Sequence, residues 1–188
     1  LSEELGKDAE KKAFWLNIYN ACIQILLREK PSRFDRKFIF FHRRYVDVAG
    51  KSMSLEKVEH GLLRGGKLSF SFGYLRNPLA GFFERKFRVE EVDPRVHFAL
   101  NCGAKTCPPI KFYESEKIDE QLDKATESYL NQEVEVEDEL LKLPRVFLWF
   151  RGDFGGKKGI REFLEEYGFD TEGKSIKHKQ WNWEMDLE

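Results

Sequence analysis

Apolar residues recur at helical spacing from Lys7 to Lys30. Phe14, Ile18, Ala21 and Ile25 form one stripe, and Trp15, Tyr19, Cys22 and Leu26 form a second one beside it. The two stripes leave only a narrow polar strip of Asn17, Asn20, Gln24 and Arg28. The pattern therefore predicts a central helix, buried over most of its circumference and ended by Pro31. Asn is a poorer helix former than the Lys and Glu that a solvent-facing strip normally carries, because its amide competes for backbone groups. Asn17 and Asn20 are thus expected either to satisfy a buried polar network or to line a site.

Alternation over Tyr45 to Val48, ending at Ala49-Gly50, predicts a strand that turns into a second short one over Lys51 to Met53. Ser54 reads as the N-cap of a helix running to Arg64, with Glu56 in its first turn and Gly65-Gly66 at its end. Its buried stripe is Leu55, Val58 and Leu62, while His60 and Arg64 share another face. Lys67 to Glu91 has weak periodicity and reads as loop and short helical turns packed by Phe70, Phe72, Phe82, Phe83 and Phe87. Asp93-Pro94 admits two readings: an N-cap with Pro at the first helical position, or a turn before an alternating strand Val96 to Asn101. The alternation and the following Gly103 favour the strand by a narrow margin.

Further on, Glu116 to Gln132 reads as a helix and Glu133 to Leu143 as a charged hairpin. Val146 to Phe150 forms a short element before a glycine-rich loop that holds Asp153. Ile160 to Tyr167 is a helix, and the aromatic alternation of Ile176 to Trp183 is an edge strand. No repeat, low-complexity tract or linker divides the chain. The economical reading is one α+β domain over 1–188, with a central buried N-terminal helix, several further helices and a small, mostly antiparallel sheet.

Composition narrows the function classes. Of 188 residues, 41% are hydrophobic and 35% charged, with 17 Phe, 6 Tyr and 4 Trp, which is too aromatic for a disordered chain and too charged for a membrane-embedded one. No apolar run reaches the roughly 18 residues that a transmembrane helix needs. A net charge of −1 gives the whole molecule no attraction to phosphate backbones and argues against nucleic acid as a partner. The local exception is 30–44, where six cations face a single Asp35 among Phe34, Phe38, Phe40 and Phe41. It reads as a basic amphipathic edge, with a protein or anionic partner contacted through 33–44. The chain starts at Leu1 rather than Met and is read as trimmed, which leaves the compartment open.

The densest chemistry lies in Asp93 to Pro109, which carries His97, Asn101, Cys102 and Cys107 beside Gly103 and Pro108-Pro109. Three chemistries fit. In the first, Cys102 is a nucleophile activated by an imidazole. On a strand His97 and Cys102 would point to opposite faces, so period-two geometry favours His60 as the base, oriented by Asn17 or Asn20. In the second, Cys102 and Cys107 form a structural or regulatory disulfide, since their spacing lacks the two-residue gap of thioredoxin-like motifs. In the third, His97, Cys102, Cys107 and His60 bind zinc, although the spacing matches no standard finger. Against all three stands the plain alternative of two buried cysteines beside a structural histidine. Cys22 reads as a small core residue, and His42 and His178 as solvated histidines.

Several motifs resemble the domain of unknown function 547 family. They are Ala13-Phe14-Trp15-Leu16-Asn17-Ile18-Tyr19-Asn20-Ala21, Leu55 to Arg64, Asp93 to Pro109, Phe150-Arg151-Gly152-Asp153-Phe154-Gly155 and, more loosely, Trp181-Asn182-Trp183. The family's tail motif usually reads Tyr-Asp-Trp, so no acid role is carried over to Asn182. The resemblance implies bacterial and plant proteins without an established activity. Asn17, Asn20, His60, Arg64, His97, Asn101, Cys102, Cys107 and Asp153 fall on its motif positions, and so many polar groups point to a site. A fainter similarity links the chain to papain- and transglutaminase-like thiol enzymes with Cys and His in swapped order, a permuted arrangement.

The leading expectation is thus a thiol-dependent acyl-transfer enzyme without cofactor or catalytic metal, acting on a small molecule or peptide. Cys102 is its nucleophile and His60 its base, with Asn17, Asn20 or Asp153 as the orienting group. Arg64 or Arg95 holds a substrate carboxylate bidentately, with His97 and Asn101 nearby. The rivals are a non-catalytic binding module and a zinc-stabilised domain.

Overall fold

The structure, a computed structural model, describes residues 5–187. Helix α1 (Asp8–Glu29) runs through the larger of two hydrophobic cores and buries Trp15, Leu16, Tyr19, Ile23 and Leu27. Only one of the two expected stripes is buried, because Ala21 and Ile25 face solvent. A 3-10 turn, Pro31–Arg36, leads into the short helix α2 (Lys37–His42). The antiparallel pair β1 (Arg44–Val48) and β2 (Lys51–Ser54) follows, close to the expected bounds.

The segment after Ser54 departs from an ordinary helix. The Ser54 hydroxyl accepts the Lys57 N–H at 3.1 Å, but Lys57–Leu63 then winds as a π-helix, and the Arg64 N–H reaches back five residues to the Glu59 carbonyl at 3.0 Å. Such wide turns cluster at functional sites. Here the turn carries Glu59, His60 and Arg64 in sequence. Helix α3 (Phe82–Phe87) closes the following loop region, in which only Phe87 of the five expected packing phenylalanines is buried; Phe70, Phe72 and Phe82 are exposed.

The segment after Asp93 is the second correction. Pro94–Phe98 is a 3-10 helix, and the Asp93 carboxylate caps it by accepting the Arg95 N–H at 3.1 Å. The N-cap–Pro start outcompetes the apolar alternation because it satisfies a free backbone donor with a residue already in place.

The second core lies under helix α4 (Ile118–Glu133), the turn α5 (Val146–Trp149) and helix α6 (Gly156–Glu166). Its sheet pairs β3 (Glu135–Val136) antiparallel with β4 (Leu140–Leu143), and β4 parallel with β5 (Ser175–His178). The strand expected up to Trp183 ends at His178. Trp181 leaves it to pack against both cores. The fold is α+β, with a two-stranded antiparallel sheet and a three-stranded mixed one. No helix among the described residues is long and apolar enough to cross a membrane.

Candidate functional site

Where the two cores meet, a cavity of about 250 Å³ is walled by Phe150, Trp149, Trp181 and Trp183 on one side and by the Cys102–Cys107 turn on another. It lies at the small end for a ligand pocket and has the expected character, apolar walls with a few polar groups. Those groups include Tyr19, Glu59, His60 and His97, with His42, Glu56 and Ser69 also on the lining.

Behind this wall sits a buried charge cluster. Asp153 Oδ2 accepts from Arg64 Nε at 2.6 Å and lies 2.9 Å from His97 Nε2, and all three side chains are sealed from solvent. The loop bearing Asp153 is clamped by its neighbour: the Gly152 N–H donates to the Phe72 carbonyl at 2.7 Å. The approach demands glycine on both sides. A Cβ on Gly152 would lie 2.6 Å from the Gly73 carbonyl carbon, and one on Gly73 would collide with the Asp153 carboxylate. Phe150 stacks on the His97 ring with centroids 4.0 Å apart and lies 4.5 Å beneath the Arg64 guanidinium. It thereby covers Arg64 and Asp153, while His97 itself lines the cavity.

The protonation pattern follows. Burial would raise the Asp153 carboxyl, but the His97 and Arg64 donors outweigh it and hold the group below the usual carboxylate range. Burial lowers His97 more than Asp153 raises it, so the ring is neutral and its proton sits on Nε2, facing the carboxylate. Its Nδ1 is buried, without a hydrogen-bond partner. His60 is held well below its ordinary value by burial and by the Arg64 charge. The Arg64 Nη1 donates to His60 Nδ1, and since a guanidinium can only donate, the neutral His60 carries its proton on Nε2.

Glu59 is the residue that sequence reasoning missed. The Tyr19 hydroxyl donates to its Oε2 at 3.2 Å, and burial pushes the carboxyl up to about 7 although Arg64 opposes this. The available signal was an acidic residue directly beside His60 in the Leu55 to Arg64 motif. Trp149, on the short helix α5, gathers with Trp181 and Trp183, which lie beyond the end of β5, with ring centroids 5.2 to 6.0 Å apart.

The other expected residues hold the frame. Asn20 donates to the Ala99 carbonyl and accepts from the Asn101 N–H, both at 2.9 Å. Asn101 accepts from the Gly103 N–H at 2.8 Å and donates to the Pro108 carbonyl at 2.9 Å. Together they fix the turn that carries Cys102. Asn17 spans the Tyr113 backbone in the same way, at 2.8 and 2.9 Å. Neither Asn17 nor Asn20 touches an imidazole, and Arg64 and Asp153 take that place. Arg64 is buried, pairs with Asp153 and His60 and leaves its Nη2 without a partner, while Arg95 pairs with Asp93, Asp119 and Asp123.

Cys102 and Cys107 are bonded to each other, and the Cys102 N–H lies 3.0 Å from Cys107 Sγ. Both sulfur-bearing residues line the cavity with His60 and His97. The expected zinc set does not assemble: among the described residues no group of three or more His, Cys, Asp or Glu is placed to hold a metal ion. His42, expected in solvent, is exposed at the cavity rim, and His178 is half-buried on β5.

The family described as "Protein of unknown function, DUF547" matches residues 3–130. The chain belongs to this family. The DUF547 match covers α1, the π-helix and the cysteine turn, and therefore Asn17, Asn20, Glu59, His60, Arg64, His97 and both cysteines. Asp153 and the three tryptophans lie beyond it. No curated protein and no solved structure matches the chain.

Proposed function

We propose that this DUF547 domain is a thiol-dependent acyl-transfer enzyme that rests in an oxidised form, with His97 in place of His60 as its base. The observation that carries the reading is the His97–Asp153 pair, in which a buried carboxylate fixes the tautomer and leaves Nδ1 buried without a partner, on a residue that lines the cavity together with Cys102. This is the arrangement by which a carboxylate orients an imidazole for proton transfer. The His60 lone pair on Nδ1 is occupied by Arg64, so His60 offers the cavity a donor rather than a base.

The cycle starts with a dithiol, which gives two electrons and two protons to the Cys102–Cys107 bond and leaves two thiols. His97 Nδ1 takes the Cys102 proton as sulfur attacks the acyl carbon of an amide or ester. The same proton then goes to the departing amine or alcohol, leaving a thioester on Cys102. Water or a second nucleophile releases the acyl group, and the aromatic walls favour an acyl or amine portion with an apolar body.

A second reading is supported by the bonded cysteines and by Glu59. With the disulfide as a permanent brace, the cavity binds a small molecule through the Glu59–Tyr19 pair without chemistry. Incubation with an activated aryl ester separates the two. Transfer predicts an acyl group on Cys102 by mass spectrometry only after dithiothreitol treatment, and none in His97→Gln. A reduced, folded protein that never acylates while the oxidised one binds the ester leaves the binding reading.

A further inference from the structure

We propose that the mouth of this cavity docks on an anionic phospholipid surface through the loop Lys67–Phe82 and the neighbouring helix α2. The inference is independent of the chemistry proposed for the cavity. Six large apolar side chains of this loop project into solvent, among them Leu79 at 88% exposure and Phe70 and Phe82 at 76% each. Exposed apolar clusters of this kind mark interaction sites. On α2, Phe38 and Ile39 are exposed as well. The two segments meet at the cavity rim: His42, whose ring stacks on Phe38 at 4.1 Å, and Ser69, the neighbour of Phe70, both line it. A second groove joins His42 and Arg44 to Gly81 and Phe83.

Charge identifies the partner. Within 67–88 five cations, Lys67, Arg76, Arg85, Lys86 and Arg88, stand with a single carboxylate, Glu84, which is buried against Lys57. Arg44 lines the second groove beside His42, and Arg36 and Arg43 flank α2 at its two ends. Among the described residues none of these eight cations has a carboxylate within salt-bridge distance, although the chain as a whole carries a charge of −1. Protein interfaces deplete charge at their core, whereas Lys and Arg without a carboxylate partner around exposed aromatics suit lipid headgroups and the upper acyl chains.

The loop is also closed on itself in the manner that insertion requires. The Leu68 N–H donates to the Leu75 carbonyl at 2.9 Å and the Tyr74 N–H to the Ser71 carbonyl at 3.0 Å. The buried Ser71 hydroxyl donates to the Leu68 carbonyl at 2.8 Å and accepts the Leu75 N–H at 3.2 Å. The turn 68–75 at its base therefore has its backbone groups largely paired, as a medium that cannot satisfy them requires.

The test is co-sedimentation of the oxidised protein with phosphatidylcholine vesicles, with and without phosphatidylserine as the minor lipid. Binding is expected only with phosphatidylserine and is expected to weaken with added salt. Each cation near an anionic surface contributes about fivefold in affinity, so Arg85→Glu/Lys86→Glu is expected to weaken binding at least about thirtyfold. Phe70→Ser/Phe82→Ser, at exposed positions where folding is undisturbed, is expected to abolish it. Absence of binding to phosphatidylserine vesicles overturns the proposal. So does binding that neither double variant weakens, or self-association in solution that Phe70→Ser/Phe82→Ser removes while vesicles are ignored, which would assign the patch to a second copy of the chain.

Discussion

His97 donates Nε2–H to Asp153 Oδ2 over 2.9 Å inside a cluster closed to solvent. The bond exists because Pro94–Phe98 is a 3-10 helix. A strand there would have turned His97 and Cys102 to opposite faces, and that parity argument is what made His60 the expected base. Both His97 and Cys102 line the cavity instead, and His97 Nδ1 is buried without a hydrogen-bond partner.

Asp153 compensates the buried Arg64 charge. Asp153→Asn leaves that guanidinium without a counter-ion, and the expected cost is about 3–5 kcal/mol of stability by urea denaturation. The double variant Arg64→Met/Asp153→Leu removes both charges and is expected to recover most of the loss. If the single and double variants are equally unstable, packing rather than charge pairing holds this corner.

Asn20 acts through the cysteine turn. Asn20→Ala strips partners from the Ala99 carbonyl and the Asn101 N–H, for an expected loss of about 2–4 kcal/mol. Hydrogen exchange at the Asn101 amide should accelerate selectively in this variant. In Asn17→Ala the Tyr113 amide should accelerate in its place. Identical exchange patterns in the two variants would contradict the separate tethers.

Glu59 predicts a pH dependence of opposite sign to that of a salt-bridged carboxylate. Its folded-state value, about 7, lies above the ordinary carboxyl, so the native state holds the extra proton. The stability it contributes is complete below about pH 4.3 and is lost as pH rises through about 7. Glu59→Gln keeps a partner for Tyr19 and removes this dependence. Relative to the parent, the variant is expected to gain about 2 kcal/mol between about pH 5 and about pH 8. Urea midpoints at the two pH values measure it, and a parallel shift of both proteins refutes it.

The two neutral imidazoles predict the acid limb. His97 and His60 are both depressed, so the stability they contribute is present above their unfolded value of about 6.5 and is lost as pH falls through the folded values. His97→Gln is expected to flatten the fall in melting temperature below about pH 6.5. An unchanged slope would place the titration elsewhere.

Elements with strong local signals were legible in the chain: α1 ended by Pro31, the β1–β2 pair around Ala49-Gly50, and α4. Three features were not. The π-helical winding of Lys57–Leu63 leaves no mark on an apolar stripe that also fits an α-helix. At Asp93-Pro94 a capping signal competed with an alternation of the same length, and the cap prevailed. The exposure of Phe70, Phe72 and Phe82 reverses the expectation that phenylalanine packs inward. The residues of the site were largely visible as residue types; their division between chemistry and framework was not. That division depends on where Asn20, Asn101 and Arg64 spend their hydrogen bonds, which only the tertiary structure decides.

The most direct test of the central claim is the alkylation rate of each cysteine by iodoacetamide after reduction, followed by mass spectrometry in the parent, His97→Gln and His60→Gln. The account predicts that near neutral pH Cys102 reacts at least about tenfold faster than Cys107, since an imidazole partner lowers a thiol below about 8.5. His97→Gln should bring Cys102 down to the rate of an ordinary thiol, and His60→Gln should leave it fast. Equal slow rates at both cysteines, or a Cys102 rate that depends on His60 and not on His97, would contradict it.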